Sequence, residues 1–236
     1  MTGIICVLFG LMGTSIDLFS QDTGMINVKK CGDFEISGTG TSAQWNTTEW
    51  ISLPQRTPKP DTYVTKAKVL YSETGIYLLY DCQDKKLLST LKADNLNLYE
   101  EDVVEAFFWP QEDFPVYFEY ELSPLNFELP IMVPNYKGSF FGWLPWHYEG
   151  DKRTRHETSV RDGKKESGSQ ISGWMAEIFI PYKLLSPLPQ VPPKPGTKWR
   201  ANLYRIDYDQ GMTPFSWQKT GPSFHDYNNF GTFIFE

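Results

Sequence analysis

The chain has 236 residues and a formal charge of −7, with 22 Lys and Arg against 29 Asp and Glu. It carries no basic run to neutralise phosphates, which argues against nucleic acid as a partner. The 8 Trp, 13 Tyr and 16 Phe exceed what the core of a single domain of about 200 residues usually absorbs, so some rings are expected on display.

In chain order, the first feature is the apolar run IICVLFGLMG from Ile4. It is too short to span a bilayer and suits the core of a signal peptide, although no basic residue precedes it. This predicts a leader over residues 1–20, cleaved near Ser20 and Gln21, and one exported domain over 21–236. Cys6 closes no lipoprotein-type box, so free secretion is expected rather than a lipid anchor. No other stretch is apolar and long enough for a membrane span. From Asn27 to Pro60 the text is polar and turn-rich, reading as a first strand and a loop that wraps the fold. TKAKVLY from Thr65 and GIYLLYD from Gly75 alternate as an antiparallel hairpin across the turn Ser72–Gly75. VVEAFFW, VYFEYEL, WMAEIFI, WRANLYRI and FGTFIF share the same period of two. Only KLLSTLKADN from Lys86 and PYKLL from Pro181 could form a helical turn or two. The stretch from Pro130 to Arg155 reads as a long loop carrying Trp143, Trp146, His147 and Tyr148. SPLPQVPPKPG from Ser186 reads as a stiff surface connection. The fold class is therefore all-β, an antiparallel β-sandwich of immunoglobulin or jelly-roll type.

The order of GIYLLYDCQD from Gly75, LYEEDVVEAFFWP from Leu98, VYFEYEL from Val116, GWMAEIFIPYKLL from Gly173, WRANLYRID from Trp199 and SFHDYNNFGTFIFE from Ser223 resembles the carbohydrate-binding modules of family 9. The resemblance runs from about Phe34 to Glu236. It implies a non-catalytic protein that holds a saccharide and assists polysaccharide-degrading enzymes from a secreted, periplasmic or cell-surface location. It also places Tyr99 at a position that stacks on the sugar and Glu105 at one that accepts hydrogen bonds from sugar hydroxyls. Phe224 stands where sugar-binding members have a second stacking tryptophan. Calcium, held by Asp81, Asp84, Glu100 and Asp102, is implied by the resemblance alone, and Glu177 occupies a recurrent position read as structural.

The residues leave alternatives at several of these places. Glu105 could form a salt bridge with Arg200 or Arg205, and Asp102 could fix its turn through backbone N–H groups. His225 and Asn229 could supply polar contacts at the rim, or His225 could tether the last strand. Trp143, Trp146 and Tyr148 could be displayed as a ligand platform or folded back as a plug. Cys31 and Cys82 could bridge in an oxidising compartment, or remain separate thiols with at least one buried. A b-type haem electron-transfer domain of the same architecture would need Met212 with His225 or His147 as ligands. A glycoside hydrolase would need two carboxylates across a cleft. No GxSxG, HExxH, glycine-rich phosphate loop or CxxCH motif occurs.

Overall fold

Alternation of apolar side chains along each strand, with few runs long enough for a helix, produces a structure built almost wholly from strands. The computed structural model describes residues 24–136, 139–146 and 148–236. The apolar run from Ile4 and His147 lie outside these residues. The strands are β1 (Met25–Lys30), β2 (Ile51–Ser52), β3 (Thr65–Tyr71), β4 (Gly75–Gln83), β5 (Val103–Trp109), β6 (Val116–Leu122) and β7 (Glu128–Tyr136). They continue as β8 (Ser139–Phe140), β9 (Leu144–Pro145), β10 (Arg155–Arg161), β11 (Gly173–Pro181), β12 (Lys198–Asp207), β13 (Thr213–Ser216) and β14 (Gly231–Phe235). A single helical turn, α1 (Tyr182–Leu185), follows β11.

One sheet has the order β10-β11-β4-β3, and the other β14-β12-β5-β6-β7. Short β2 adds to β3, β13 to β12, and β8 and β9 to β7. The hairpin at Ser72–Gly75 forms as read, with Tyr71 opposite Ile76 and the Ser72 amide bonded to the Gly75 carbonyl at 2.9 Å. The arrangement is mixed rather than purely antiparallel. β1 runs parallel to β14 over Met25–Val28 and then parallel to β3 at Lys29 and Lys30. Crossing from one sheet to the other, this strand satisfies edge groups on both.

The period of two then divides the side chains among layers. Leu78, Tyr80 and Cys82 of β4 meet Ala106 and Phe108 of β5, Phe118 and Tyr120 of β6, Trp174 of β11 and Trp199 of β12 between the sheets. The alternate positions of the second sheet, including Phe107, Tyr117, Tyr204 and Ile206, form a separate cluster on its outer face with Leu98, Leu129 and Phe230. On the outer face of the first sheet, Trp45, Tyr77, Leu79 and Phe179 are covered by the N-terminal segment, where Phe34 stacks on Tyr77 with ring centroids 4.2 Å apart.

Glu177 ties that segment down. It is fully buried, and it accepts the Trp45 indole N–H at 2.7 Å and the backbone N–H groups of Ser37 and Gly38 at 2.8 Å each. Gly38 adopts φ +74°, and a Cβ there would lie 2.8 Å from the Glu157 carbonyl carbon, so only glycine fits the turn.

The stretch from Pro130 is not a long loop at its start, because β7 pairs with β6 from Val116↔Pro134 to Leu122↔Glu128. Pro130 and Pro134 are tolerated because the far side of β7 carries only the two-residue strands β8 and β9, leaving few ladder bonds for a missing N–H to break. The Cys31–Cys82 bridge is also absent, and both cysteines are free. Cys82 points between the sheets, whereas Cys31 packs on the opposite face of the first sheet. They also stand at opposite ends of β3, since Cys31 bonds to Tyr71 while Cys82 is opposite Thr65.

Candidate functional site

The outer face of the second sheet is where the strands deliver polar groups. Alternation in β5 puts Glu105 and Phe107 on this face, and alternation in β6 adds Tyr117, Glu119 and Glu121. Register then brings them together, with Glu105 opposite Glu121 and Phe107 opposite Glu119, and with Glu105 opposite Tyr204 of β12 on its other side. Over this floor stand Tyr99 from the turn before β5, Phe140 and Trp143 from the segment after β7, and Phe224 and His225 from the segment before β14. All of these but Tyr117 and Tyr204 line a cavity of about 670 Å³, with Met212 and Lys219 also on its wall.

The three glutamates are 2%, 4% and 0% exposed, in the order Glu105, Glu119, Glu121. Glu105 Oε1 and Glu119 Oε2 are buried without a hydrogen-bond partner, and the Glu121 carboxyl has only the Glu119 carboxyl and the Tyr99 backbone N–H near it, neither in good hydrogen-bond geometry. Burial pushes the Glu105 carboxyl up to about 8. Glu119 and Glu121 are also held well above the ordinary carboxyl range, first by burial and then by repulsion from neighbouring carboxyls.

His225 lies beside them without neutralising them. Its Nδ1 is 2.6 Å from the Tyr117 hydroxyl and 3.7 Å from Glu119 Oε2, and Phe140 stacks on its ring at 4.2 Å. Burial pushes its pKa down to about 4, so the imidazole is neutral near pH 7. Phe224 is fixed as a platform by stacking on Tyr204 with centroids 4.1 Å apart, while the Tyr204 hydroxyl donates to the Phe224 carbonyl at 3.0 Å. Asn202 Nδ2 in turn donates to that hydroxyl at 2.7 Å.

Of the residues singled out in the sequence, Tyr99, Glu105, Trp143, Phe224 and His225 meet at this cavity. Trp146 and Tyr148 line a different hollow, of about 270 Å³. The Trp146 indole donates to the Leu184 carbonyl at 3.1 Å, and the Tyr148 hydroxyl lies 2.8 Å from Thr154 Oγ1. Asn229 is exposed, bonds Asp226 at 2.7 Å, and is outside the cavity. The Glu105 salt bridge does not form. Arg205 faces the opposite side of β12, paired with Asp84 at 2.9 Å and Asp207 at 2.5 Å, and Arg200 lies toward Glu112. Sequence reasoning missed Glu119 and Glu121. Their signal was present in VYFEYEL, where acids at alternate positions share one face with Tyr117.

The residues present do not fit calcium. Asp81 is paired with Lys66 and Arg161, Glu100 is exposed on a turn, and Asp102 accepts the backbone N–H groups of Leu88 and Tyr208 at 2.6 and 2.9 Å. Among the described residues, the carboxylates that bring one oxygen each within 4.8 Å of one another are Asp84, Asp207 and Asp209. There the Arg205 guanidinium, fully buried between Asp84 and Asp207, already occupies the cationic position, and the remaining oxygens fall short of the six to eight that calcium requires. Haem fits no better. Met212 and His225 line the same cavity, but its floor presents buried carboxyl groups to what would be an apolar porphyrin face.

Fold and site together define a β-sandwich module with an aromatic-walled, carboxyl-floored cavity on one outer face. The profile of the family described as carbohydrate family 9 binding domain-like matches residues 36–236. The chain belongs to that family. Among solved structures it is similar to a Bacteroides uniformis ATCC 8492 protein provisionally described as carbohydrate-binding, with TM-score 0.73 and 19% identity over 90% of this chain and 99% of the other. It is also similar to a family 9 carbohydrate-binding module from Caldicellulosiruptor kristjanssonii in complex with cellotriose, with TM-score 0.62 and 17% identity over 90% and 93% of the two chains. The module from the same organism in complex with glucose gives TM-score 0.62 and 16% identity over 90% and 95%. At these identities the likeness concerns the fold. A search of curated proteins finds no match.

Proposed function

We propose that this protein is exported, holds a saccharide in the outer-face cavity without cleaving it, and serves a system that degrades polysaccharides. The observation that carries this reading is the combination of ring faces and carboxyl groups in one cavity, Tyr99, Trp143 and Phe224 above Glu105, Glu119 and Glu121. A pyranose has an apolar C–H face that rests on a ring and a hydroxylated rim that needs acceptors. Family membership and the sugar complexes of the C. kristjanssonii modules support the same reading. The carboxyls suit holding rather than hydrolysis, because all three rise from neighbouring strands of one sheet face, whereas a glycosidase brackets the bond with two carboxyls on either side. Export is supported by the apolar run from Ile4 and fits a partner found outside the cell.

A glycan array followed by calorimetry tests the binding claim. Saturable binding of a saccharide, lost on Glu105→Gln with the melting temperature retained, is the expected result. Absence of binding across neutral, acidic and basic glycans defeats the reading. For export, the intact mass of protein made with its native N-terminus should lack residues 1–20, and retention of Met1 would count against it.

A further inference from the structure

Among the described residues, the floor of the cavity differs from the other buried acids, Asp84, Asp102, Glu128, Glu177 and Asp207. Asp84 and Asp207 have Arg205, Glu177 has an indole and backbone N–H groups, Asp102 has two backbone N–H groups, and Glu128 has the Tyr120 hydroxyl at 2.6 Å. By contrast, Glu105 Oε1 and Glu119 Oε2 have no hydrogen-bond partner, and Glu121 has only the Glu119 carboxyl and the Tyr99 backbone N–H near it, neither in good hydrogen-bond geometry, although these residues are at least 96% buried. Among the described residues, Glu105 and Glu121 form no ion pair. The cations nearest the cavity do not supply one. Arg56 is turned to Ser216 and Trp217, with Nε 2.7 Å from Ser216 Oγ and NH2 2.8 Å from the Trp217 carbonyl. Lys219 is exposed, and His225 faces Glu119 as a neutral ring. Tyr99, Tyr117, Tyr204 and Tyr208 are further titratable groups around the floor, and none of them carries positive charge.

Leaving buried acceptors unpaired is costly, so a ligand that supplies both donors and charge gains most here. A hydroxyl supplies one donor and no charge. Calcium needs six to eight oxygens within 2.3–2.6 Å, and among the described residues these three carboxyls do not bring one oxygen each within 4.8 Å of one another. A quaternary ammonium has no N–H to donate. A primary ammonium brings three N–H donors and a positive charge, and the ring faces of Tyr99, Trp143 and Phe224 favour a cation as well as a sugar face. Resting on the saccharide reading above, we propose that the cavity takes an amine-bearing saccharide, its protonated amine seated among Glu105, Glu119 and Glu121.

Without such a ligand the acids limit their repulsion by holding protons. An ammonium seated among them draws their pKa values down, so binding releases protons, whereas a neutral sugar leaves them in place. Calorimetry in two buffers of different ionisation enthalpy, near neutral pH, reads both affinity and proton release. The probes are three trisaccharides of like backbone: cellotriose, the β-1,4 trimer of glucosamine, and its fully N-acetylated counterpart. The glucosamine trimer should bind about tenfold or more tightly than the other two and release protons. Glu121→Gln and Glu119→Gln, each checked by thermal melting, should abolish that preference. Equal or tighter binding of cellotriose or the acetylated trimer overturns the inference while leaving the saccharide reading intact. A preference that survives both substitutions is surface attraction to an acidic chain, and also overturns it. If none of the three trimers and no other glycan binds, both readings fall together.

Discussion

Glu105 of β5 and Glu121 of β6 stand opposite one another in register, both buried and with no cation paired to either among the described residues. This relationship makes stability depend on pH in a particular direction. Glu105 has a folded value of about 8 against an ordinary 4.5, so the folded state binds more protons than the unfolded one between those values. Its contribution is therefore fully present below about 4.5 and is lost as pH rises through 8, with a slope of about 1.4 kcal/mol per pH unit for each proton involved. Glu119 and Glu121, raised in the same direction, steepen the decline. His225 acts oppositely, stabilising above its ordinary 6.5 and losing that contribution as pH falls toward 4. Urea melts across this range should show stability falling on the alkaline side, and Glu105→Gln should flatten that fall. A slope unchanged by the substitution would reject the assignment.

On the opposite face of the sandwich, Glu177 serves structure alone. Glu177→Ala leaves the Trp45 indole and the Ser37 and Gly38 amides without their acceptor, at about 1–3 kcal/mol for each group that stays buried. The melting temperature should drop by many degrees while ligand affinity in the remaining folded protein is unchanged. A large loss of affinity at unaltered stability would contradict this role.

The contrast between these two acids shows how much was legible in the sequence. Strands were legible because a period of two in Val, Ile, Tyr and Phe survives any context, and the Thr65–Tyr71 and Gly75–Gln83 hairpin is local. Glu105, singled out through the resemblance, lies in the candidate cavity, but its companions there were not singled out. Glu119 and Glu121 alternate with Phe118, Tyr120 and Leu122, a pattern that reads equally as a solvent-facing row. Only the long-range pairing of β6 with β5, and the roof of Tyr99, Trp143 and Phe224, turns that row into a buried floor. Trp143 and Trp146 are three residues apart in one segment, yet the β9 bridge at Leu144 and Pro145 sends them to different hollows. Short spacing in a turn-rich segment cannot encode that division. Pro130 and Pro134 misdirected the reading of β7 because a proline's cost depends on whether its strand has a neighbour on the N–H side.

Arg205 should replace a metal rather than accompany one. It is fully buried between Asp84 and Asp207, and its NH1 also donates to Thr65 Oγ1 and the Gln83 carbonyl. Removing it in Arg205→Met leaves uncompensated buried acids and should cost about 3–5 kcal/mol. Calcium at millimolar concentration, or a chelator, should not shift the melting temperature of the unsubstituted protein. A clear rise with calcium would show that these carboxylates take the ion despite the guanidinium.

Two free thiols are expected in the folded protein. Burial pushes the Cys82 thiol up to about 12 and Cys31 up to about 11, so both react slowly, Cys82 above all because it lies between the sheets. Alkylation under denaturing, non-reducing conditions should label both, and native alkylation should leave Cys82 unlabelled. Recovery of an unlabelled chain after denaturation would reinstate the bridge that the opposite-facing positions rule out.

The last expectation separates the two tryptophans. Trp143 lines the large cavity beside Tyr99 and Phe224, whereas Trp146 is tied to the Leu184 carbonyl and packs against the inter-sheet core. Trp143→Ala should weaken saccharide binding several-fold or more, since a ring contact contributes about 0.5–1.5 kcal/mol beyond the area it covers, and should leave stability almost intact because the side chain is only half-buried. Trp146→Ala should do the reverse, lowering the melting temperature with little effect on affinity. Ligand-induced quenching of tryptophan fluorescence should vanish in Trp143→Ala and persist in Trp146→Ala. If quenching instead follows Trp146, the ligand occupies the smaller hollow beside Tyr148, and the assignment of the site to the glutamate-floored cavity fails.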